Sequence, residues 1–234
     1  DVEGFFAIYA AAKFTRKNFL QKIRLTFPRF VLYLSQRLAI KQAVKLGERF
    51  IVENTINIEV VRAMLPLAAK NDSRSYLNGV HVGFQCDKTV YAASNGLVLG
   101  KYVEAVENEH VFGIVIPCDV VKQLKPGRGT AKWGDLIFNP KTNTARIVNP
   151  GTGQDFEFAP TDCKYADYSK VIPSSTTGEV AQFNAELLAL FAQVNKLLGA
   201  KTPGKIKIDH NGAAGALVHL SREEFTGVIM PFRS

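Results

Sequence analysis

Apolar positions along this chain follow two alternating periods, and the switches between them mark out its elements. Val61, Met64, Leu65 and Ala68 fall at helical spacing and predict a helix over Ile58–Lys70, which Pro66 should kink or end early. β-Branched and aromatic runs then predict strands at Val80–Phe84, Thr89–Ala93, Leu97–Val103 and Phe112–Ile116. Asn78-Gly79, Cys86-Asp87-Lys88 and Asn95-Gly96 supply the turns. A short helix is expected over Pro117–Leu124, stopped by Pro126-Gly127, with strands at Asp135–Phe138, Thr144–Val148 and Asp155–Phe158 after it. The run Pro173-Ser174-Ser175-Thr176-Thr177-Gly178 reads as a linker. Beyond it lies the clearest helix. Asn184 can cap it, Glu186 suits its N-terminal end, and Leu187, Leu190, Phe191, Val194, Leu197 and Leu198 form one stripe before Gly199. Strands at Lys205–Ile208, Ala216–Leu220 and Phe225–Met230 complete the pattern.

Each helix is thus followed by about three strands. A repeated helix-plus-three-strand unit implies an α+β fold, with antiparallel sheets and helices layered on one face. Residues 1–50 differ in texture: basic, rich in Phe and Leu, and poor in turn signals, which favours helix. There Arg37, Lys41, Lys45 and Arg49 recur every fourth position and share one broad helical face.

Charge sharpens this division. The first 50 residues hold ten of the 29 Lys and Arg against three acids, so +7 of the +8 net charge is N-terminal. A basic segment on a near-neutral body points to a polyanion, nucleic acid before membrane. The remaining composition, 47% apolar and 21% charged over 234 residues, is that of a globular chain with a sizeable core. The longest N-terminal apolar run, Phe5–Ala12, is eight residues and follows acids, so neither a membrane span nor a secretory leader is expected. Three scattered cysteines, Cys86, Cys118 and Cys163, suit a reducing cytoplasm and argue against a disulfide scaffold or zinc site.

Catalytic constellations are missing. His81, His110, His210 and His219 are scattered, and no metalloprotease, nucleophile-elbow, P-loop or dinucleotide motif occurs. Gly127-Arg128-Gly129 and Gly151-Thr152-Gly153 read as loop corners before phosphate cradles. A binding protein is expected, with no enzymatic activity, no cofactor and no metal.

Three segments then carry a specific resemblance. Arg74-Ser75-Tyr76-Leu77-Asn78-Gly79-Val80 resembles the R-x-Y-L-N-G-x segment in the middle domain of bacterial DNA polymerase III beta subunits, the sliding clamps. Asp162-Cys163-Lys164-Tyr165-Ala166-Asp167-Tyr168-Ser169-Lys170-Val171-Ile172-Pro173 is similar to the D-G-x-F-P-D-Y-x-x-V-x-P that closes that domain. Val228-Ile229-Met230-Pro231-Phe232-Arg233-Ser234 is similar to the family's terminal V-V-M-P-M-R-L. Ala93-Ser94-Asn95-Gly96 and Phe183-Asn184 fall where clamps have A-T-D-G and F-N. The resemblance identifies a shortened or divergent clamp with three parts. Residues 1–54 are a basic helical segment, 55–173 a complete clamp-like domain, and 174–234 the second half of another.

The resemblance implies a ring of processivity domains that holds a replicative polymerase on DNA, with helices lining a central hole and sheets outside. Phosphate contacts without sequence preference would come from Arg62, Lys70, Arg74, Lys122, Lys125 and Lys196, joined by Arg37, Lys41, Lys45 and Arg49. It also implies an outer apolar cleft for Leu- and Phe-bearing peptides of polymerases and clamp loaders. Carried over by position, that cleft is Leu77, Ser94, Gly96, Leu97, Val98, Leu99, Pro173, Val228, Met230, Pro231, Phe232 and Arg233. Ser94-Asn95 and Leu97-Val98 replace the usual Thr-Asp and His-Arg, which alters the polar rim and with it partner choice. An adaptor that keeps the cleft but does not encircle DNA is the alternative. Self-association is expected too, because the apolar face of Leu187, Leu190, Phe191 and Val194 needs covering by a second chain or by residues 1–50.

Overall fold

Strand β1 (Val52–Asn57) leads straight into helix α1 (Ile58–Met64), and Asn57 serves both. As the helix N-cap it accepts from the Val60 N–H, and Glu59 occupies the first turn, where a carboxylate suits the positive end. Pro66 has no N–H to continue the ladder, so the helix ends at Met64 and one 3₁₀ turn, Leu65–Leu67, finishes the element. The expected helix to Lys70 is therefore shortened to half its length. In this computed structural model residues 51–232 are described; the four-residue-spaced cations Arg37, Lys41, Lys45 and Arg49, the segment 1–50 that carries them, and Arg233 lie outside.

The remaining strands are β2 (Gly79–Gln85), β3 (Lys88–Ser94), β4 (Val98–Glu104), β5 (Phe112–Pro117), β6 (Trp133–Asn139), β7 (Thr144–Asn149), β8 (Gln154–Phe158), β9 (Lys207–Asp209), β10 (Ala216–His219) and β11 (Phe225–Ile229). Helix α2 (Cys118–Gln123) follows β5, and α3 (Ala185–Leu197) precedes β9. The strands form a four-stranded sheet, β1-β6-β7-β8, and a seven-stranded sheet, β5-β2-β3-β4-β11-β10-β9. Every pairing is antiparallel. Chain order breaks twice within the larger sheet, at β5–β2 and at β4–β11, and the second junction sets Leu99 opposite Val228 and Tyr102 opposite Phe225. The segments before and after the linker thus share one continuous sheet.

α1 packs on β2 and β3 and touches β1 and β6, so it bridges the two sheets; α2 lies over β2 and β5, and α3 meets β11. All of α1 except Glu59 and Arg62 is buried. α3 packs side by side with α1 and its 3₁₀ turn. This corrects the reason for expecting self-association. Phe191 and Val194 are fully buried, and Leu187 and Leu190 pack partly buried against the same core, because α1 covers the stripe within the chain.

A polar knot ties the sheets together. Asn57 Nδ2 donates to Glu104 Oε1 at 2.9 Å, Tyr91 Oη donates to Glu104 Oε2 at 3.2 Å, and the Asn57 N–H donates to Tyr91 Oη at 2.9 Å. Burial raises the Glu104 carboxyl above its ordinary range, and these two donors hold it back. Asn57→Ala removes a cap and leaves a half-buried carboxylate short of a donor. It is expected to cost about 2 kcal/mol or more, which a thermal melt should read as a fall of about 4–8 °C.

Candidate functional site

Ser94, Val98, Leu99 and Val228 lie where β3, β4 and β11 converge. Between β3 and β4 the chain makes a tight turn whose geometry Asn95 sets: its Oδ1 accepts from the Leu97 and Val98 N–H groups at 2.9 and 3.0 Å. Ser94 Oγ donates to the Val98 carbonyl at 2.7 Å and accepts from the Gly96 N–H at 3.1 Å. Gly96 takes φ +90°, open to glycine and costly for other residues. The turn lifts Leu97 out of the strand expected to contain it and leaves it 55% exposed. Beside it, the Met230 N–H donates to the Leu97 carbonyl at 2.9 Å, extending the β4–β11 pairing by one bond. Gly215 leaves room there: a Cβ at that position would stand 3.0 Å from Val228 Cγ1 and 3.4 Å from Met230 Sδ.

Depth separates these residues. Val98, Leu99 and Val228 are buried and form the floor, Leu77 is buried on its own turn, Leu97 and Phe232 are exposed, and Met230 and Pro231 are half-buried. The Phe232 N–H is anchored on the Gln182 carbonyl at 2.9 Å. Leu77 ends the 3₁₀ turn Ser75–Leu77, its N–H donating to the Arg74 carbonyl, and it is Arg74 that lies against Gly96. Pro173 is half-buried in the connector between β8 and α3. Among the described residues, the pairings and hydrogen bonds that join the others do not include it.

Arg74, one of the expected phosphate contacts, lies beside the β3–β4 turn. Its guanidinium forks onto Asp72, Nε to Oδ1 and Nη2 to Oδ2, both at 3.0 Å. It lies against Gly96, with Nη2 2.8 Å from where a Cβ would stand. Those hydrogen bonds hold the Asp72 carboxyl down to about 2, so the pair keeps its charges across the ordinary pH range. Arg74 therefore places a charge beside the Gly96 turn. The Asp-x-Arg spacing and a glycine turn small enough to admit a guanidinium are the sequence signals of this placement.

The other expected phosphate contacts sit on or just after the three packed helices. Arg62 is half-buried on α1, Lys70 is exposed beyond its 3₁₀ turn, and Lys125 is exposed after α2. Lys122 on α2 is exposed but bonded to Asp119 at 2.7 Å, and Lys196 is exposed in the last turn of α3. Exposed pairs of this kind are weak. Among the described residues, no group of three His, Cys, Asp or Glu is placed to hold a metal ion, and no helix is long and apolar enough to cross a membrane.

No family model matches the chain, and no curated protein matches it in sequence. Solved structures do match in fold. A DNA polymerase sliding clamp from Pseudomonas aeruginosa superposes with a TM-score of 0.60 at 14% identity, over 78% of this chain and 66% of that one. The DNA polymerase III beta subunit of Thermotoga maritima gives 0.58 at 12%, over 78% and 66%. The corresponding subunit of Borrelia burgdorferi, in complex with a natural product, gives 0.58 at 15%, over 79% and 65%. The chain thus spans just under two thirds of the length of each. Its described part has the sliding-clamp fold, α+β with antiparallel sheets. At such identities only the fold is shared ground, and residue roles rest on the geometry above.

Proposed function

We propose that this chain is a DNA-binding sliding clamp or clamp-like processivity factor, which tethers a replicative DNA polymerase to duplex DNA and performs no chemistry itself. The observation that carries this reading is the clamp fold with cations on each of its three helices, of which α2 and α3 both pack on α1: Arg62 on α1, Lys122 on α2 and Lys196 on α3. A protein that slides must meet phosphates without reading bases and without gripping them. Sparse cations spread over separate helices satisfy both demands.

The cleft supplies the tether. Leu97 and Phe232 offer exposed apolar contact beside the deformable Met230 and Pro231, over a buried floor of Leu99 and Val228. Such a surface accepts Leu- and Phe-bearing peptides of polymerases and clamp loaders at little packing penalty. Closing a ring requires more than one copy of a chain this long, so the full chain should run above its monomer mass at high micromolar concentration.

The testing experiment is a salt titration of full-chain binding to duplexes of unrelated sequence. Equal affinities are expected, with a logarithmic salt slope of about −4 for four or five neutralised phosphates. Absence of duplex binding at about 50 mM salt overturns the reading.

A further inference from the structure

We propose that the loop after α2 forms, with the β7–β8 turn, a phosphate-contacting lip for duplex DNA whose contacts are Lys125 and Arg128. The inference rests on the DNA-binding reading above and extends it to Arg128, on a loop outside the helices.

Two glycine corners far apart in sequence are brought together here. The Lys125 N–H donates to Gln154 Oε1 at 2.7 Å, and Gln154 Nε2 donates back to the Gln123 carbonyl at 3.2 Å. Asn149, fully buried, shapes the second corner: its Oδ1 accepts from the Gly151 and Thr152 N–H groups at 3.0 and 3.3 Å, and its carbonyl from Gly153 at 2.9 Å. Gly129 and Gly153 hold φ +60° and +71°, and a Cβ at either would meet nothing within 4 Å. The backbone is bare on that side, so a phosphodiester chain can approach it closely.

Charge selects the ligand. Residues 120–134 contain Lys122, Lys125, Arg128 and Lys132 and no acid, and the facing turn 149–154 contains none either. Lys122 is occupied by Asp119. Lys132 stands 5.7 Å over the Trp133 ring, with the Glu104 carboxylate near enough to feel its charge. Lys125 and Arg128 are exposed, and no ion pair among the described residues engages either. Two unpaired cations on a bare, acid-free corner favour a polyanion, and the neighbouring α2 carries Lys122 on the layer assigned to DNA.

Trp133 is the only tryptophan in the chain, and Lys132 over its indole makes it a local reporter. The test uses the full chain and duplex DNA, comparing Lys125→Ala/Arg128→Ala with a charge-matched control, Lys164→Ala/Lys170→Ala, on the connector. The loop variant is expected to flatten the logarithmic salt slope by about 1.8, since each lost phosphate contact removes roughly 0.9. The control should leave it unchanged, and wild-type Trp133 emission should change saturably with added duplex. Equal flattening in both variants would reduce the effect to net charge and overturn the lip. So would an unchanged slope in the loop variant, while wild-type binding still upheld the clamp reading. If an acidic peptide shifts Trp133 emission and duplex DNA does not, the lip serves a protein partner and the inference fails. Failure of the wild type to bind duplex at all defeats the broader reading and this one with it.

Discussion

Leu97→Ala combined with Met230→Ala is expected to weaken binding of a Leu- and Phe-bearing clamp-type peptide by about thirtyfold or more, with little change in melting temperature. Both side chains project above the cleft floor: Leu97 is 55% exposed and Met230 half-buried. Truncating exposed groups usually moves stability by no more than about 0.5 kcal/mol. Anchors at the centre of an interface are worth about 2 kcal/mol or more when removed, which corresponds to the expected loss. The floor residues are unsuitable for this purpose. Leu99 is 5% and Val228 2% exposed, so shortening either opens a cavity and costs about 2–5 kcal/mol of folding free energy. Calorimetric titration with the peptide, beside a thermal melt, separates the two effects. Unchanged affinity in the double variant would move the peptide elsewhere.

The second large effect concerns pH. The His81 ring lies beside two glycines that face each other across β2 and β5: a Cβ on Gly83 would stand 3.0 Å from Nε2, and one on Gly113 2.9 Å from Cε1. Tyr165 of the connector stacks on the ring, with centroids 4.5 Å apart and planes 10° apart, and Tyr168 lies 6.4 Å away. Burial pushes the imidazole down to about 4 from its ordinary 6.5. The folded chain therefore refuses a proton that the unfolded chain accepts. Stability contributed by neutral His81 is complete above about pH 6.5, declines as pH falls, and levels off below about 4. The loss is about 3 kcal/mol at 1.36 kcal/mol per unit. His81→Phe keeps a stacking ring but cannot titrate. Urea unfolding from pH 7 to 4 should show the wild type losing about 3 kcal/mol more than this variant. Parallel losses would mean that His81 is protonated in the fold as readily as in a peptide.

The period of the apolar pattern was enough to find most of the sheet. β2, β3, β5 and β7 begin and end within a residue of the predicted runs, because alternation, Asn-Gly turns and burial all favour the same register there. β1 escaped notice for a physical reason. Its inward positions include Asn54, 5% exposed, beside Ile56, so the alternation looks polar. The side chain is satisfied by a distant segment, donating to the His110 carbonyl at 2.6 Å and accepting from the His110 N–H at 3.2 Å, which no local pattern announces. Similarly, Leu97 reads as strand by composition, but Asn95 captures its N–H for a turn.

The candidate site was legible as a set of positions more than as a set of roles. Gly96, Leu97, Leu99, Val228 and Met230 do come together, since strand pairing follows from patterning. Which of them form floor and which form rim depends on β4 meeting β11, a contact between residues more than 120 apart in sequence. Arg74 shows the same limit. Its charge suggests a phosphate contact, and its placement against Gly96 and Asp72 exists only once the turn of β3 into β4 is folded.

The central claim is that this fold holds the chain on DNA by enclosure, with cations that touch phosphates loosely. The direct measurement is retention of the full chain on closed circular DNA and on linear DNA of the same sequence, washed at rising salt. Loose contacts alone fail on both molecules at the same salt, because counterion release is indifferent to topology. The account predicts that the circle keeps the protein at salt that strips it from the linear duplex. Loss from both at the same salt would contradict it.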